Sequence, residues 1–222
     1  MSLLHINHIN QLSRRGFLGA ATATLVACGG ASVRAADLFP TPKQTEGPFY
    51  PDKLPLDQDN DLLQVQGSTV TAKGTVANVY GRILGPDGKP INGAIVEIWQ
   101  CDANGVYLHT KGGDRAKMDA GFQGFGRFKV GEDGAYRFRT IRPVPYTGRT
   151  PHIHYKIKLG EAELLTTQCY VNSDPGNAKD GIFKRITDPA SQKALIADFV
   201  ATADGKEMNA LFDVVLGKTP QA

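Results

Sequence analysis

Apolar and polar residues alternate along two stretches of the chain, Val76 to Leu84 and Ile91 to Trp99. In the second, Ala94, Val96 and Ile98 interleave with Ile95, Glu97 and Trp99. That period of two is what a strand shows when one face lies on a core. Between the stretches, Gly85-Pro86-Asp87-Gly88-Lys89-Pro90 carries the residue types of a hairpin turn. Further strands are predicted at Ala135 to Ile141, Pro151 to Leu159, Leu164 to Val171 and Leu211 to Leu216. Asp188 and Pro189 fit the N-cap and first position of a helix over Ala190 to Ala201. No repeat and no Gly/Ser linker interrupts residues 45–218. The pattern therefore predicts one all-β domain, a β-sandwich of two mainly antiparallel sheets with long loops and a short helix in the C-terminal region.

Composition agrees and excludes several classes. The chain has 222 residues, 41% hydrophobic and 21% charged, which is globular rather than disordered. Its 25 Lys and Arg against 22 Asp and Glu leave a net charge of +3, which gives no basis for a nucleic-acid partner. Three cysteines cannot build a disulfide scaffold. The excess charge is concentrated at the start. Ser13-Arg14-Arg15-Gly16-Phe17-Leu18 leads an apolar run to Ala27, a pattern that matches a twin-arginine export signal and is too short to span a bilayer. Removing residues 1–27 takes away Arg14 and Arg15 and no acid, so +3 becomes +1. Leu25-Val26-Ala27-Cys28 resembles a bacterial lipobox, which would place a lipid anchor on Cys28. Cleavage after Ala35 is the competing outcome. The expected organisation is a signal at 1–27, a tether at 28–44 and a domain at 45–222, exported to the periplasm or cell envelope.

With the signal set aside, His109, His152 and His154 are the remaining histidines. His152-Ile153-His154 lies in a predicted strand, so both imidazoles point to one side and can converge on a metal ion. Such a pair is weak alone. Tyr146 precedes it in a proline-stiffened stretch, Pro143-Val144-Pro145-Tyr146-Thr147-Gly148-Arg149, and Tyr107 sits in the loop after the strand ending at Trp99.

The stretches GAIVEIWQCDANGVYLH (93–109), FQGFGRF (122–128), YRFRTIRPVPY (136–146), RTPHIH (149–154) and TQCY (167–170) together resemble the intradiol ring-cleavage dioxygenases. The likeness runs from about Thr45 to Leu216. The resemblance implies that Tyr107, Tyr146, His152 and His154 ligate a mononuclear non-haem Fe(III), with Tyr146 also catalytic. It makes Arg149 a catalytic and substrate-pocket residue and Gln168 a substrate-pocket residue. The implied substrates are a catechol and O2, and the implied product is a cis,cis-muconate-type diacid. The residue types suit this chemistry. Two anionic phenolates favour the ferric state, and an always-charged Arg can stabilise negative charge as the ring is attacked.

Only Thr147 and Gly148 separate Tyr146 from Arg149, where familiar cytosolic members carry a longer insertion; a more open pocket for larger or substituted catechols is expected. The helical N-terminal dimerisation segment of the catechol 1,2-dioxygenases is not recognisable here, which leaves the form of any homo-oligomer open. His109 reads as a loop residue at the pocket rim, and Trp99, Phe122 and Phe125 read as core or subunit-contact residues. Cys101 and Cys169 fit either a disulfide or packed free thiols. A rival reading comes from Gly81-Arg82-Ile83 and Gly88-Lys89-Pro90-Ile91-Asn92-Gly93-Ala94, which also resemble transthyretin-like modules without catalytic activity. For the anchor, a Cys28→Ser chain should fractionate as soluble protein; unchanged fractionation would contradict lipidation.

Overall fold

The computed structural model describes residues 38–218. The expected signal with Arg14 and Arg15, the lipobox at Cys28, the cleavage position at Ala35 and most of the tether lie outside the described residues.

Ten strands form the two sheets of a sandwich. In chain order they are β1 Val76–Leu84, β2 Ile95–Trp99, β3 Phe125–Lys129, β4 Ala135–Ile141 and β5 His152–Leu159. There follow β6 Ala162–Val171, β7 Ile196–Ala197, β8 Val200–Ala201, β9 Met208–Leu211 and β10 Val214–Val215. One sheet centres on β1, with β4 antiparallel on one side and β9 and β10 parallel along the other. The other sheet runs β3-β2-β5-β6-β7 and is antiparallel except for the last pair. Ala77, Val79 and Ile83 of β1 and Phe138 of β4 meet Val96, Ile98, Ile153, Tyr155 and Ile157 in one core between the sheets. These positions follow the period of two read from the sequence.

Several details differ from the expectation. The Gly85–Pro90 turn closes on itself, with Gly85 N–H donating to Lys89 O at 2.8 Å, but it does not join paired strands. Pro90 bridges to Leu84, and Ile91 N–H donates to Ile83 O at 2.9 Å, but Gly93 at φ 75° then redirects the chain and β2 enters the opposite sheet. The helix over Ala190 to Ala201 is confined to α1, Pro189–Lys193, with Asp188 capping Ser191 N–H as expected. Beyond it both sheets claim the chain: Ile196 and Ala197 pair with β6, while Val200 and Ala201 pair with β9. Sheet pairing overrides local helix propensity there.

Strand β3 was not legible because Gly126 and Arg127 break its apolar pattern. The glycine is required by space: a Cβ at 126 would sit 2.6 Å from Leu62 Cδ1 and 2.8 Å from Asp59 O. Finally, residues 41–44 do not hang free as a tether. Thr41 N–H donates to Val215 O and Gln44 N–H to Thr166 O, both at 2.9 Å, so this segment bonds to both sheets. The strand expected over Leu211 to Leu216 is present but interrupted at Phe212 and Asp213. Phe212 O lies where a Cβ on Gly81 would come within 2.1 Å, so a larger residue at 81 would push β1 and this segment apart.

Candidate functional site

The pleat of β5 assigns its side chains to two destinations. Ile153, Tyr155 and Ile157 enter the core, while His152 and His154 face the other way. Register places Trp99 of β2 and Gln168 of β6 on either side of His154, and Tyr170 beside His152. The loop after β2 delivers Tyr107 to the same face. Asp102 shapes that loop by accepting the Asn104 and Val106 N–H groups at 2.8 and 3.0 Å, and Tyr107 N–H donates to Gly112 O at 2.8 Å. Gly112 has no substitute, since a Cβ there would lie 2.5 Å from Tyr107 O. Tyr146 and Arg149 flank a two-residue turn closed by Arg149 N–H to Tyr146 O at 2.8 Å, with Gly148 at φ 76°. That turn puts a phenol and a guanidinium side by side, 3.4 Å apart.

The predicted site residues all meet. His152 Nε2 lies 3.1 Å from His154 Nε2 and 3.4 Å from the Tyr107 hydroxyl. The Tyr146 ring stands edge-on to Tyr107 at 5.2 Å and tilted against His152 at 5.6 Å. His152 Nδ1 is 2.7 Å from Thr150 O, which can only accept. Nδ1 therefore carries the proton, and the bare lone pair of Nε2 points at the other donors. Burial lowers the His152 pKa to about 3, and burial with the neighbouring His152 holds His154 well below its ordinary value. Burial pushes the Tyr107 phenol well above the ordinary range; it raises Tyr146 too, against the pull of the Arg149 charge. Two neutral imidazoles and two phenols, with no anion among them, thus share one buried spot.

Sequence reasoning missed the residues that hold Arg149. Burial works against its charge, but Asp180 accepts its Nε at 2.7 Å and keeps it cationic. Asp180 also accepts the Thr150, Ile182 and Phe183 N–H groups, which hold its carboxyl below the usual range despite burial. Arg149 in turn donates to Gln168 Oε1 at 2.6 Å, and Tyr170 OH donates to the same oxygen at 2.9 Å. Gln168 Nε2 donates to Thr45 O at 3.0 Å. Both ends of the Gln168 amide are therefore engaged by the protein, which makes it a brace for Arg149. Asp180 lies 31 residues beyond Arg149, and no local pattern links them.

The segment Thr45 to Pro51 straps across this face. Phe49 stacks on Tyr107 at 5.1 Å, and its ring is edge-on to Tyr146 and to His109. His109 stays outside the donor cluster, as expected, its Nδ1 accepting Lys111 N–H. Cys101 and Cys169 are free, buried thiols in separate apolar clusters.

Among the described residues no three His, Cys, Asp or Glu side chains gather into a metal site. The donors beyond the histidine pair are the tyrosines, a set poorly matched to zinc and well matched to a trivalent, oxygen-seeking ion that binds phenolate. The residues present fit a ferric ion.

A profile of a family described as Dioxygenase matches residues 45–218. The chain belongs to the intradiol ring-cleavage dioxygenase family. It is 35% identical over 176 residues to the protocatechuate 3,4-dioxygenase beta chain of Burkholderia cepacia, covering 74% of this chain and 73% of that one. It is 37% identical over 167 residues to the 6-chlorohydroxyquinol 1,2-dioxygenase of Cupriavidus pinatubonensis, covering 67% and 56%. The chain thus spans little more than half of the second relative. Among solved structures it resembles the dioxygenase domain of a dioxygenase carbohydrate-binding protein fusion from Streptomyces sp. SirexAA-E. The TM-score is 0.62 at 34% identity, covering 82% of this chain and 100% of that one. The transthyretin-like pattern maps onto the end of β1 and the turn that leads to β2.

The buried histidines make the metal-free protein acid-sensitive. An unfolded His152 takes up a proton near pH 6.5, whereas the folded one resists until about 3. Stability conferred by the neutral form is therefore present above pH 6.5 and lost as pH falls toward 3, by about 1.4 kcal/mol per unit for this group. Chemical denaturation at a series of pH values should give a shallower acid slope for metal-free His152→Gln than for wild type. Equal slopes would contradict the buried neutral state.

Proposed function

We propose that the chain is an Fe(III)-dependent intradiol dioxygenase that opens a catechol-type ring between its two hydroxylated carbons, incorporating both atoms of O2 into a cis,cis-muconate-type diacid. The observation that carries this reading is the convergence of Tyr107, Tyr146, His152 and His154 on one buried spot, with Arg149 braced beside Tyr146. The chemistry such an ion supplies when bound is Lewis-acid activation of a vicinal diol toward O2.

The four donors divide into a fixed set and a movable one. Tyr107, His152 and His154 are almost wholly buried, while Tyr146 is half-buried on the short turn. Tyr146 is thus the group placed to move and, as the phenolate that a bound ferric ion would stabilise, to accept a proton from the incoming diol at its oxygen. Arg149, anchored through Asp180 and Gln168, presents its remaining nitrogen toward that oxygen. Its fixed charge stabilises the deprotonated diol and the negative charge that develops on the ring under attack. Phe49 and the strap restrict water above Tyr107. The neighbourhood is largely buried, which strengthens these electrostatic effects.

Export is part of the proposal and rests on the Arg14-Arg15 pair and the apolar run after it. A twin-arginine route carries folded proteins, which allows metal loading before transport. Among the described residues no helix is long and apolar enough to cross a membrane.

Purified, ferric-loaded protein should be red-brown and should convert at least one of catechol, protocatechuate or hydroxyquinol to a ring-opened diacid. Arg149→Ala should keep the colour and lose about 10²–10³-fold in kcat, whereas Tyr107→Phe should bleach it. An iron-loaded protein that opens none of the vicinal diols would overturn the reading.

A further inference from the structure

The two imidazoles are held by different means. His152 is fixed by its Nδ1 hydrogen bond to Thr150 O. His154 Nδ1 is buried and has no hydrogen-bond partner. A ligating histidine ordinarily donates its second N–H to a carboxylate, a carbonyl or water, and that bond sets the ring plane. Something else must set it here, because the imidazole torsion is otherwise broad.

Trp99 is the group in place. It sits directly opposite His154 in the β2–β5 ladder, and its indole lies face to face with the imidazole at 4.7 Å and 9°. The indole is itself buttressed. Tyr50 stands edge-on to it at 5.0 Å, and Tyr50 OH donates to Glu97 Oε2 at 3.0 Å. Glu97 is completely buried and paired with Arg127 at 2.7 Å. Lys156 covers the Tyr50 ring at 4.1 Å and is paired with Glu46. On the His154 Cε1 edge stands Gly47, where a Cβ would come to 3.6 Å. The indole N–H has no partner of its own. A tryptophan kept only to fill space would be an uneconomical choice, since an aliphatic side chain would bury no unpaired donor.

On the ferric reading of the site, we propose that Trp99 is the positioning residue of His154, its indole face replacing the missing hydrogen bond and holding Nε2 toward the other three donors. Without that face the imidazole is free to turn about its Cβ–Cγ side, and Nε2 leaves the position 3.1 Å from His152 Nε2. Trp99 is then more than the core residue its sequence context suggested. In this role it transfers no proton.

Trp99 is the single tryptophan of the chain, so its emission reports on the site directly. Ferric ion is titrated into metal-free wild type, Trp99→Phe and Trp99→Leu, following the visible charge-transfer band and retention against a competing chelator. Trp99→Leu should bind the ion about 10–100-fold more weakly, with a shifted band, and Trp99→Phe should restore affinity to within about threefold. In the wild type, uptake should quench the tryptophan emission. The proposal is overturned if Trp99→Leu matches wild type in affinity and band, or if Trp99→Phe is as weak as Trp99→Leu. The second result would show that volume, not an aromatic face, matters. Should Trp99→Leu fail to fold, wild-type emission that stays unquenched with iron bound overturns it as well. A wild type that takes up no iron fails the ferric reading itself, a different outcome from either.

Discussion

The pleat of a single strand, β5, decides most of what this molecule can do. Because successive side chains alternate, Ile153, Tyr155 and Ile157 are committed to the core between the sheets, and His152 and His154 are committed to the opposite face. A slip of one residue would bury two imidazoles in the sandwich and expose the core's aliphatic row. Pairing on both sides, with β2 and β6, forbids that slip and aligns Trp99, Gln168 and Tyr170 with the histidines. Core packing and site geometry are therefore one constraint read from two sides.

What the strand cannot supply, loops and buried ion pairs do. Tyr107 and Tyr146 arrive on turns shaped by Asp102, Gly112 and Gly148. Arg149 is a cation in a largely buried place, a costly arrangement that Asp180 offsets with a close, fully buried carboxylate. The donor cluster has no anion of its own, and burial keeps both phenols and both imidazoles neutral. Such a cluster is poised for a cation that can draw the phenols into their anionic form, and the braced guanidinium makes its direct contact with Tyr146 rather than Tyr107. On the proposed function, this asymmetry gives the two tyrosines different tasks despite identical chemistry.

The sequence made the strands with clean alternation legible, along with the HxH pair and its two tyrosines. β1 and β4 have the expected limits, and the first residues of β5 carry the expected pair. Less visible was everything decided at a distance. Residues 196–201 look helical by local pattern but are drawn out by edges of both sheets. β3 is masked by Gly126, whose reason is the Leu62 side chain, and Asp180 is tied to Arg149 across the whole of β5 and β6. Trp99 was legible as a buried aromatic; its stacking on His154 depends on the β2–β5 register, which no local pattern states. These are contacts between residues far apart in the chain, and propensity and spacing do not report them.

On the proposed function, two tyrosines and two histidines close on one ferric ion. Diffraction from iron-loaded crystals, with anomalous differences collected on either side of the iron absorption edge, tests it most directly. A single strong iron peak is expected within bonding distance of the Tyr107 and Tyr146 oxygens and of Nε2 of His152 and His154. An iron peak elsewhere, or one bonded to the histidines but to neither tyrosine, would contradict it.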